Sequence, residues 1–159
     1  MHNRVLKVFK AEELNTRLKS MVESIETWQY MYEFDMHMLD PEILSDTPLE
    51  KFLEFSTKPV IIKLPPNCWY AFHTDAHRSC ALNMLISGGV SHTVFSDCIS
   101  AQRQTAVELV YSTDTIFLIN TQMPHAILNL DKPRYMLSVG FRPPNTFNSI
   151  KDFCLSQQF

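Results

Sequence analysis

The chain of 159 residues is 45% hydrophobic and 19% charged, a composition typical of a soluble globular protein with a sizeable core. Its formal net charge is −3 and its basic residues are scattered, so no surface for a nucleic-acid backbone is expected. A single domain over 1–159 is predicted.

The N-terminal segment lacks the apolar stretch of a signal peptide, and no apolar run is long enough to cross a membrane. Four cysteines are present without a C-x-x-C pair: Cys68, Cys80, Cys98 and Cys154. They are expected to be reduced, mostly packed thiols, and a zinc knuckle is disfavoured. The sequence therefore predicts a cytoplasmic protein with no membrane partner.

The first predicted elements are a strand over residues 4–9 and a helix that begins near residue 10. Apolar residues at helical spacing predict an amphipathic helix of about fifteen to twenty residues. They are Leu14, Leu18, Met21, Val22, Ile25 and Trp28. Such a helix either packs on a sheet or binds a partner. The packing interpretation is favoured, because a single domain must cover its sheet.

Residues 29–57 are mixed in character, and the helical N-terminal part of the domain is placed at about 10–57. Methionines and aromatic residues are concentrated over 30–38, which favours a core or lid segment over a cofactor-binding one. A short helix is predicted over 49–55.

From residue 58 onward the sequence predicts strands. Eight short runs rich in β-branched and aromatic residues are separated by turn-forming residues. They cover 59–66, 67–75, 80–86, 92–96, 107–112, 115–120, 125–130 and 134–141. This pattern favours a mainly β fold, the jelly roll or double-stranded β-helix also found in cupins, with the N-terminal helix packed on its sheet. The jelly-roll core covers about 58–142, and the tail, 143–159, is predicted to form a short helix or an extended cover.

A candidate metal site begins with His73 and Asp75, two residues apart in a segment predicted to be extended. Side chains at i and i+2 of a strand lie on one face, with Cα atoms roughly 6.5–7 Å apart, so both can reach one ion. The pair alone is weak, because this spacing arises readily by chance. A packed histidine followed by a capping carboxylate is the structural alternative.

Residues further along the chain strengthen the metal interpretation. His125 begins the seventh predicted strand, which a jelly roll can place beside the second, and it would complete a set of two histidines and one carboxylate. This set is associated with non-haem Fe(II) oxygenases. Arg134 follows the next turn and offers a planar fork to a carboxylate, and Ser138 shares its strand face. A surface arginine at a strand start is the competing interpretation of Arg134.

A rival ligand set is local to one segment. His73, Asp75 and His77 occupy alternate positions, so all three could face the same way. On one straight strand they would spread over roughly 13 Å, too far to share an ion without a sharp bend. His77 is therefore expected at the rim of the pocket.

Two blocks of the chain resemble Fe(II)/2-oxoglutarate-dependent oxygenases, and are most similar to their aspartyl/asparaginyl β-hydroxylase-like group. HTDAHRSCALNMLI (73–86) resembles that group's H-x-D-x-x-R-x-x-A-L-N block. IFLINTQMPHAILNLDKPRYMLSVGF (116–141) resembles its N-T-x-x-x-H…N…R…S-x-G-F block. The resemblance covers about residues 58–142.

The resemblance implies that His73, Asp75 and His125 bind Fe(II). It also implies that Arg134 pairs with the distal carboxylate of 2-oxoglutarate. Asn83 and Ser138 are implied as further contacts with the cosubstrate, and Arg78 as a contact with either the cosubstrate or the substrate. Since some aspartyl hydroxylases have glycine in place of the acidic ligand, Asp75 makes this chain similar to the branch with a full triad.

The activity implied by the resemblance is a dioxygenase that hydroxylates a C–H bond while 2-oxoglutarate becomes succinate and CO₂. The substrate would be an aspartyl, asparaginyl or other amino-acid side chain in a peptide, or a small molecule. Trp69 and Tyr70 are either walls of the site or ordinary core aromatics. The functional alternatives are a cupin-like module that binds a metal or small molecule without redox turnover, and a scaffold with an interaction role only.

Overall fold

The computed structural model describes residues 4–31, 33–97 and 106–157. The strands are β1 (Val5–Lys10), β2 (Gln29–Met31), β3 (Phe34–Met38), β4 (Val60–Leu64), β5 (Cys68–His73), β6 (Cys80–Ser87), β7 (Ser91–Phe95), β8 (Val107–Val110), β9 (Thr115–Ile119), β10 (His125–Asn129) and β11 (Arg134–Phe141). The helices are α1 (Glu12–Ser24) and α2 (Phe147–Ser156), with 3-10 turns at Pro41–Leu44 and Glu50–Phe52. Within these three ranges no helix has the length and apolar character needed to cross a membrane.

The strands form two antiparallel sheets that face each other. The larger sheet has the order β1-β9-β6-β11-β4-β3-β2, and the smaller one β5-β10-β7-β8. Each of the eight predicted runs overlaps one of the strands from β4 to β11, with bounds that differ by a few residues at most. The mainly β, double-stranded β-helix fold predicted from the sequence is therefore confirmed.

Two apolar clusters hold the layers together. The larger one lies between the helices and the outer face of the larger sheet, where Leu14 and Leu18 of α1 and Ile150 of α2 are buried. Phe52 joins it, with its ring centroid 6.0 Å from that of Phe141. The smaller cluster lies between the sheets and consists of Leu85, Phe95, Leu109, Tyr111, Phe117, Ile119 and Met136. It leaves part of the space between the sheets open as a cavity.

Helix α1 packs on the sheet as predicted but is shorter, because it ends at Ser24 and Ile25 is already extended. Trp28, expected on the apolar stripe of the helix, instead packs beside the larger sheet. Its ring centroid lies 6.0 Å from that of His37 and 5.9 Å from that of Tyr135.

Strands β2 and β3 form a hairpin, so the prediction of a helical part over 10–57 is wrong for 29–38. The hairpin extends the larger sheet by pairing β3 with β4. Across that pairing, Asp35 Oδ2 lies 3.7 Å from Lys63 Nζ. A methionine-rich run gives little strand signal of its own, so the partner strand determines its conformation. The short helix predicted over 49–55 is a 3-10 turn at Glu50–Phe52. The tail forms α2, which begins with a capping box between Thr146 and Ser149.

Three of the cysteines lie in the described ranges, and Cys98 lies outside them. Cys68, Cys80 and Cys154 are free thiols. Burial raises the pKa of Cys80 to about 12 and that of Cys154 to about 11. These two thiols are therefore unreactive packing groups.

Candidate metal centre

The pairing of β5 with β10 places two histidines side by side. His125 is directly opposite His73 in the register of the two strands, and their ring centroids are 4.3 Å apart. The predicted adjacency of the second and seventh runs is therefore confirmed. Asp75 completes the group, with Oδ1 3.5 Å from His73 Nε2 and 4.0 Å from His125 Nε2. One ligand atom from each of the three residues lies within 4.8 Å of the others.

Asp75 is not on the strand that carries His73, contrary to the prediction of one extended segment. Strand β5 ends at His73, and the backbone N–H of Asp75 donates to the Thr121 carbonyl at 3.0 Å. The Gln122 amide also donates to the Asp75 carbonyl at 2.9 Å. These bonds hold the bend that turns the carboxylate towards both histidines. Sequence reasoning missed Gln122, which lies at a variable position of the second resembling block.

Both imidazoles are held in the same tautomer. His73 Nδ1–H donates to the Ala71 carbonyl at 2.8 Å, and His125 Nδ1–H donates to the Met123 carbonyl at 2.9 Å. Each Nε2 therefore points towards Asp75, which is the orientation that metal-ligating histidines adopt. Two imidazole nitrogens and one carboxylate oxygen on one side of an open space could hold a divalent transition metal.

The pKa values of all three residues are shifted from their ordinary values. Burial alone would lower the pKa of His73, but its bonds to Asp75 and Ala71 outweigh burial and raise it. Burial would raise the pKa of Asp75, but the hydrogen bond with His73 and the charge of Arg78 lower it. Burial lowers the pKa of His125. The shifts favour the ionised form of Asp75, the neutral form of His125 and the protonated form of His73, so a metal would compete with a proton mainly at His73.

Arg78 is committed to the metal-binding carboxylate rather than to open space. Its Nε lies 2.8 Å and its Nη2 2.7 Å from Asp75 Oδ2, and its Nη1 donates to Ser138 Oγ at 3.0 Å. This fork leaves Oδ1 of Asp75 free to face the histidines. Gly140 makes room for the arginine, because a Cβ there would lie 2.8 Å from Arg78 Cδ.

Arg134 lies in the same cavity and is completely buried, with 0% exposure. Its Nη1 donates to Ser91 Oγ at 2.9 Å, and its guanidinium carbon lies 4.8 Å from the centroid of the Tyr111 ring. Burial lowers the pKa of Arg134, and Tyr111 opposes this change. The guanidinium makes no ion pair with any residue in the described ranges, and its Nε has no hydrogen-bond partner there. A buried cation in this state could be stabilised by an anionic ligand.

The cavity between the sheets joins these groups in one space of about 780 Å³. Asn83 and Ser138 are directly opposite each other on β6 and β11, and both line the cavity. Asn83 Oδ1 is buried without a hydrogen-bond partner among the described residues. Ser138 accepts from Arg78, so its own hydroxyl hydrogen is available to a ligand.

The remaining predicted residues separate into rim, wall and surface. His77 is exposed at the rim and does not belong to the three-residue cluster. Tyr70 is a wall residue, with its ring centroid 4.2 Å from that of His73. Trp69 points to solvent with 53% exposure, so its prediction as a wall or core residue is wrong. Strand alternation places these two neighbours on opposite faces. Tyr111, beneath Arg134, was missed because its contact crosses between sheets.

No family model matches this sequence, and no curated protein matches it. Solved structures do match. An oxidoreductase of the 2OG-Fe(II) oxygenase family from Burkholderia pseudomallei has a TM-score of 0.61 at 13% identity, covering 89% of this chain and 82% of its own. HygX from Streptomyces hygroscopicus, with nickel, 2-oxoglutarate and hygromycin B bound, has a TM-score of 0.64 at 9% identity, with coverages of 88% and 82%.

A third match is a prolyl hydroxylase from Trichoplax adhaerens in complex with a hypoxia inducible factor peptide fragment. Its TM-score is 0.63 at 11% identity, covering 87% of this chain and 82% of its own. Identities this low show the fold alone. The chain thus has the double-stranded β-helix fold of 2-oxoglutarate–Fe(II) oxygenases.

Proposed function

We propose that this chain is a non-haem Fe(II)/2-oxoglutarate-dependent dioxygenase that hydroxylates a C–H bond. The observation that carries the proposal is the buried guanidinium of Arg134, which has no carboxylate partner among the described residues and lies in the same cavity as the metal triad. A metal site alone would fit many functions. A metal site beside a buried cation that lacks an anion fits a cosubstrate that is both a chelator and a carboxylate.

Three residues would hold the metal: His73 and His125 through Nε2, and Asp75 through Oδ1. The unpaired Nε of Arg134 would receive the distal carboxylate of 2-oxoglutarate, with Ser138 and Asn83 as further contacts. When bound, iron and 2-oxoglutarate would supply the oxidising chemistry with O₂ as the oxidant: one oxygen atom enters succinate as CO₂ is released, and the other enters the substrate C–H bond as a hydroxyl group.

The protein's own side chains act by positioning. The carbonyls of Ala71 and Met123 accept from the Nδ1–H groups of the histidines, so each imidazole keeps the rotation that turns Nε2 towards the metal position. The Arg78 fork holds Asp75 in one rotamer, and the apolar residues between the sheets exclude water from the cavity. Arg78 is therefore a positioning residue for Asp75 in this proposal, instead of a direct cosubstrate contact.

The finer form of the proposal follows the sequence resemblance to the aspartyl/asparaginyl β-hydroxylase-like group, whose substrates are amino-acid side chains. A peptide substrate is supported by the peptide-bound structural neighbour, and a small molecule by the neighbour bound to hygromycin B. The free thiols Cys68, Cys80 and Cys154 support a reducing, cytoplasmic setting.

Turnover tests the activity. Incubation with Fe(II), 2-oxoglutarate and oxygen is expected to give metal-dependent succinate, followed by NMR, and the His125→Ala variant sets the background. Binding of 2-oxoglutarate without succinate above that background, for every substrate tried, would contradict an oxygenase and favour the cupin-like binding module.

Replacement of Arg78 by methionine is expected to weaken Fe(II) binding by about 10- to 100-fold, the usual cost of losing a residue that supports a metal ligand. The physical reason is that Asp75 would lose its Oδ2 partners and rotate freely. Arg17→Met, which removes an exposed arginine from α1, is the matched control and leaves the affinity unchanged. Calorimetric titration with metal measures both, and equal affinity in the two variants would mean that Arg78 does not position Asp75.

A further inference from the structure

One side of the cavity mouth is apolar. The hairpin of β2 and β3 contributes four side chains to the cavity lining: Met31, Phe34, Met36 and Met38. Phe34 makes an edge contact with Tyr70 of β5, their ring centroids being 6.1 Å apart, so the wall continues across both sheets. Met38 keeps 57% exposure in the structure. An exposed methionine and aromatic wall of this kind suits the apolar part of a ligand.

A neighbouring part of the mouth, next to the Met38 end of the hairpin, is cationic. Lys58 and Arg142 both line the cavity and are exposed, and neither makes an ion pair in the part of the chain that the structure describes. Their segments are joined, because Thr57 N–H donates to the Gly140 carbonyl at 2.8 Å and Asn145 donates to the Phe55 carbonyl at 3.2 Å. The two cations are thus held on one rim by backbone structure.

The charges of the cavity do not balance. Four cationic side chains line it, namely Lys58, Arg78, Arg134 and Arg142, and Asp75 is the one carboxylate among the described lining residues. Asp75 already neutralises Arg78. Bound 2-oxoglutarate would place one carboxylate on Arg134 and the other on Fe(II), which would still leave one positive charge of the iron. The charges of Lys58 and Arg142 also remain. The site with Fe(II) and 2-oxoglutarate bound would therefore attract an anionic substrate and repel a cationic one.

We propose that the substrate is a small carboxylic acid with an apolar body, bound with its carboxylate at Lys58 and Arg142 and its body on the hairpin wall. This inference rests on the proposed oxygenase function, because it places 2-oxoglutarate on Arg134. A cavity of about 780 Å³ has the size of a site for small molecules and holds both compounds. The carbon to be oxidised then lies on the apolar portion, between the rim cations and the metal triad.

A matched probe series tests the charge preference: 4-phenylbutyrate, 4-phenylbutanamide, 4-phenylbutylamine and 4-phenylbutyl phosphate. Each is titrated calorimetrically into the anaerobic protein saturated with Fe(II) and 2-oxoglutarate. The carboxylate is expected to bind about tenfold more tightly than the amide, the effect of two charge-assisted contacts at a partly exposed rim, and the amine more weakly than the amide. A phosphate that binds more tightly than the carboxylate would overturn the assignment to a carboxylic acid.

The double variant Lys58→Glu/Arg142→Glu provides the control. It is expected to remove the preference for the carboxylate while its affinity for the neutral amide stays within about twofold of the wild-type value, because the apolar wall is untouched. Three outcomes with the wild-type protein would overturn the inference. All probes could bind with equal affinity, no probe could bind, or the carboxylate could bind only by displacing 2-oxoglutarate. The visible charge-transfer band of the Fe(II)–2-oxoglutarate complex is recorded on the same samples. Its absence refutes the oxygenase proposal itself, whereas its presence without a charge preference refutes the substrate class alone.

Discussion

Replacement of His125 by alanine should lower the affinity for Fe(II) by more than about 100-fold. The loss of a metal ligand reduces affinity more than the loss of a residue that only supports a ligand, which costs about 10- to 100-fold. The variant keeps only two of the three ligands, His73 and Asp75. His125 is buried beside Phe95, with ring centroids 6.0 Å apart, so folding is checked by thermal denaturation of the metal-free proteins. Calorimetric titration with Fe(II) under anaerobic conditions measures the affinity.

The matched control is His77→Ala. His77 is exposed at the rim and belongs only to the rival local ligand set of His73, Asp75 and His77. Its loss is expected to leave the affinity for Fe(II) within about twofold, since it contributes no ligand atom to the cluster. Unchanged affinity in His125→Ala together with a large loss in His77→Ala would establish the rival set.

Replacement of Arg134 by methionine should weaken 2-oxoglutarate binding by about 3 kcal/mol or more, which is over 100-fold in affinity, while Fe(II) affinity stays the same. The variant leaves the distal carboxylate buried beside Tyr111 and Met136 without its cationic partner. In the metal-free protein the same change removes a buried charge that has no counter-ion in the described ranges. The free energy of unfolding of metal-free Arg134→Met should therefore be equal to or higher than that of the metal-free wild-type protein.

Arg134→Lys separates charge from geometry. Lysine keeps a positive charge but lacks the planar fork, so it is expected to recover only part of the lost 2-oxoglutarate affinity. Urea denaturation of the three proteins gives the unfolding free energies. A parallel loss of stability, Fe(II) affinity and 2-oxoglutarate affinity in Arg134→Met would show that the arginine is structural and that the cavity does not take a carboxylate there.

The strands of the jelly roll were predictable because each is a short run with strong local preference, bounded by turn residues. The pairing of His73 with His125 was predictable too, since an eight-stranded roll places its second and seventh strands together. Arg134 and Ser138 could be placed on one face from their spacing alone, and both line the cavity.

The features that sequence reasoning missed depend on contacts between distant segments. The hairpin of β2 and β3 is determined by its pairing with β4 rather than by its own residues. Asp75 reaches the histidines through a bend held by Thr121, which no local spacing indicates. The role of Arg78 could not be predicted from the sequence either. Its two bonds to Asp75 and one to Ser138 join residues that are 63 positions apart in the chain.

The most direct measurement is an anaerobic titration of the Fe(II)-loaded protein with 2-oxoglutarate, followed by visible absorption. We expect a metal-to-ligand charge-transfer band that saturates at one 2-oxoglutarate per iron. In Arg134→Met the half-saturating concentration of 2-oxoglutarate should be at least 100-fold higher, because a buried charge pair is lost. Iron that is bound in stoichiometric amount but gives no such band at any concentration of 2-oxoglutarate would contradict the proposed 2-oxoglutarate-dependent oxygenase.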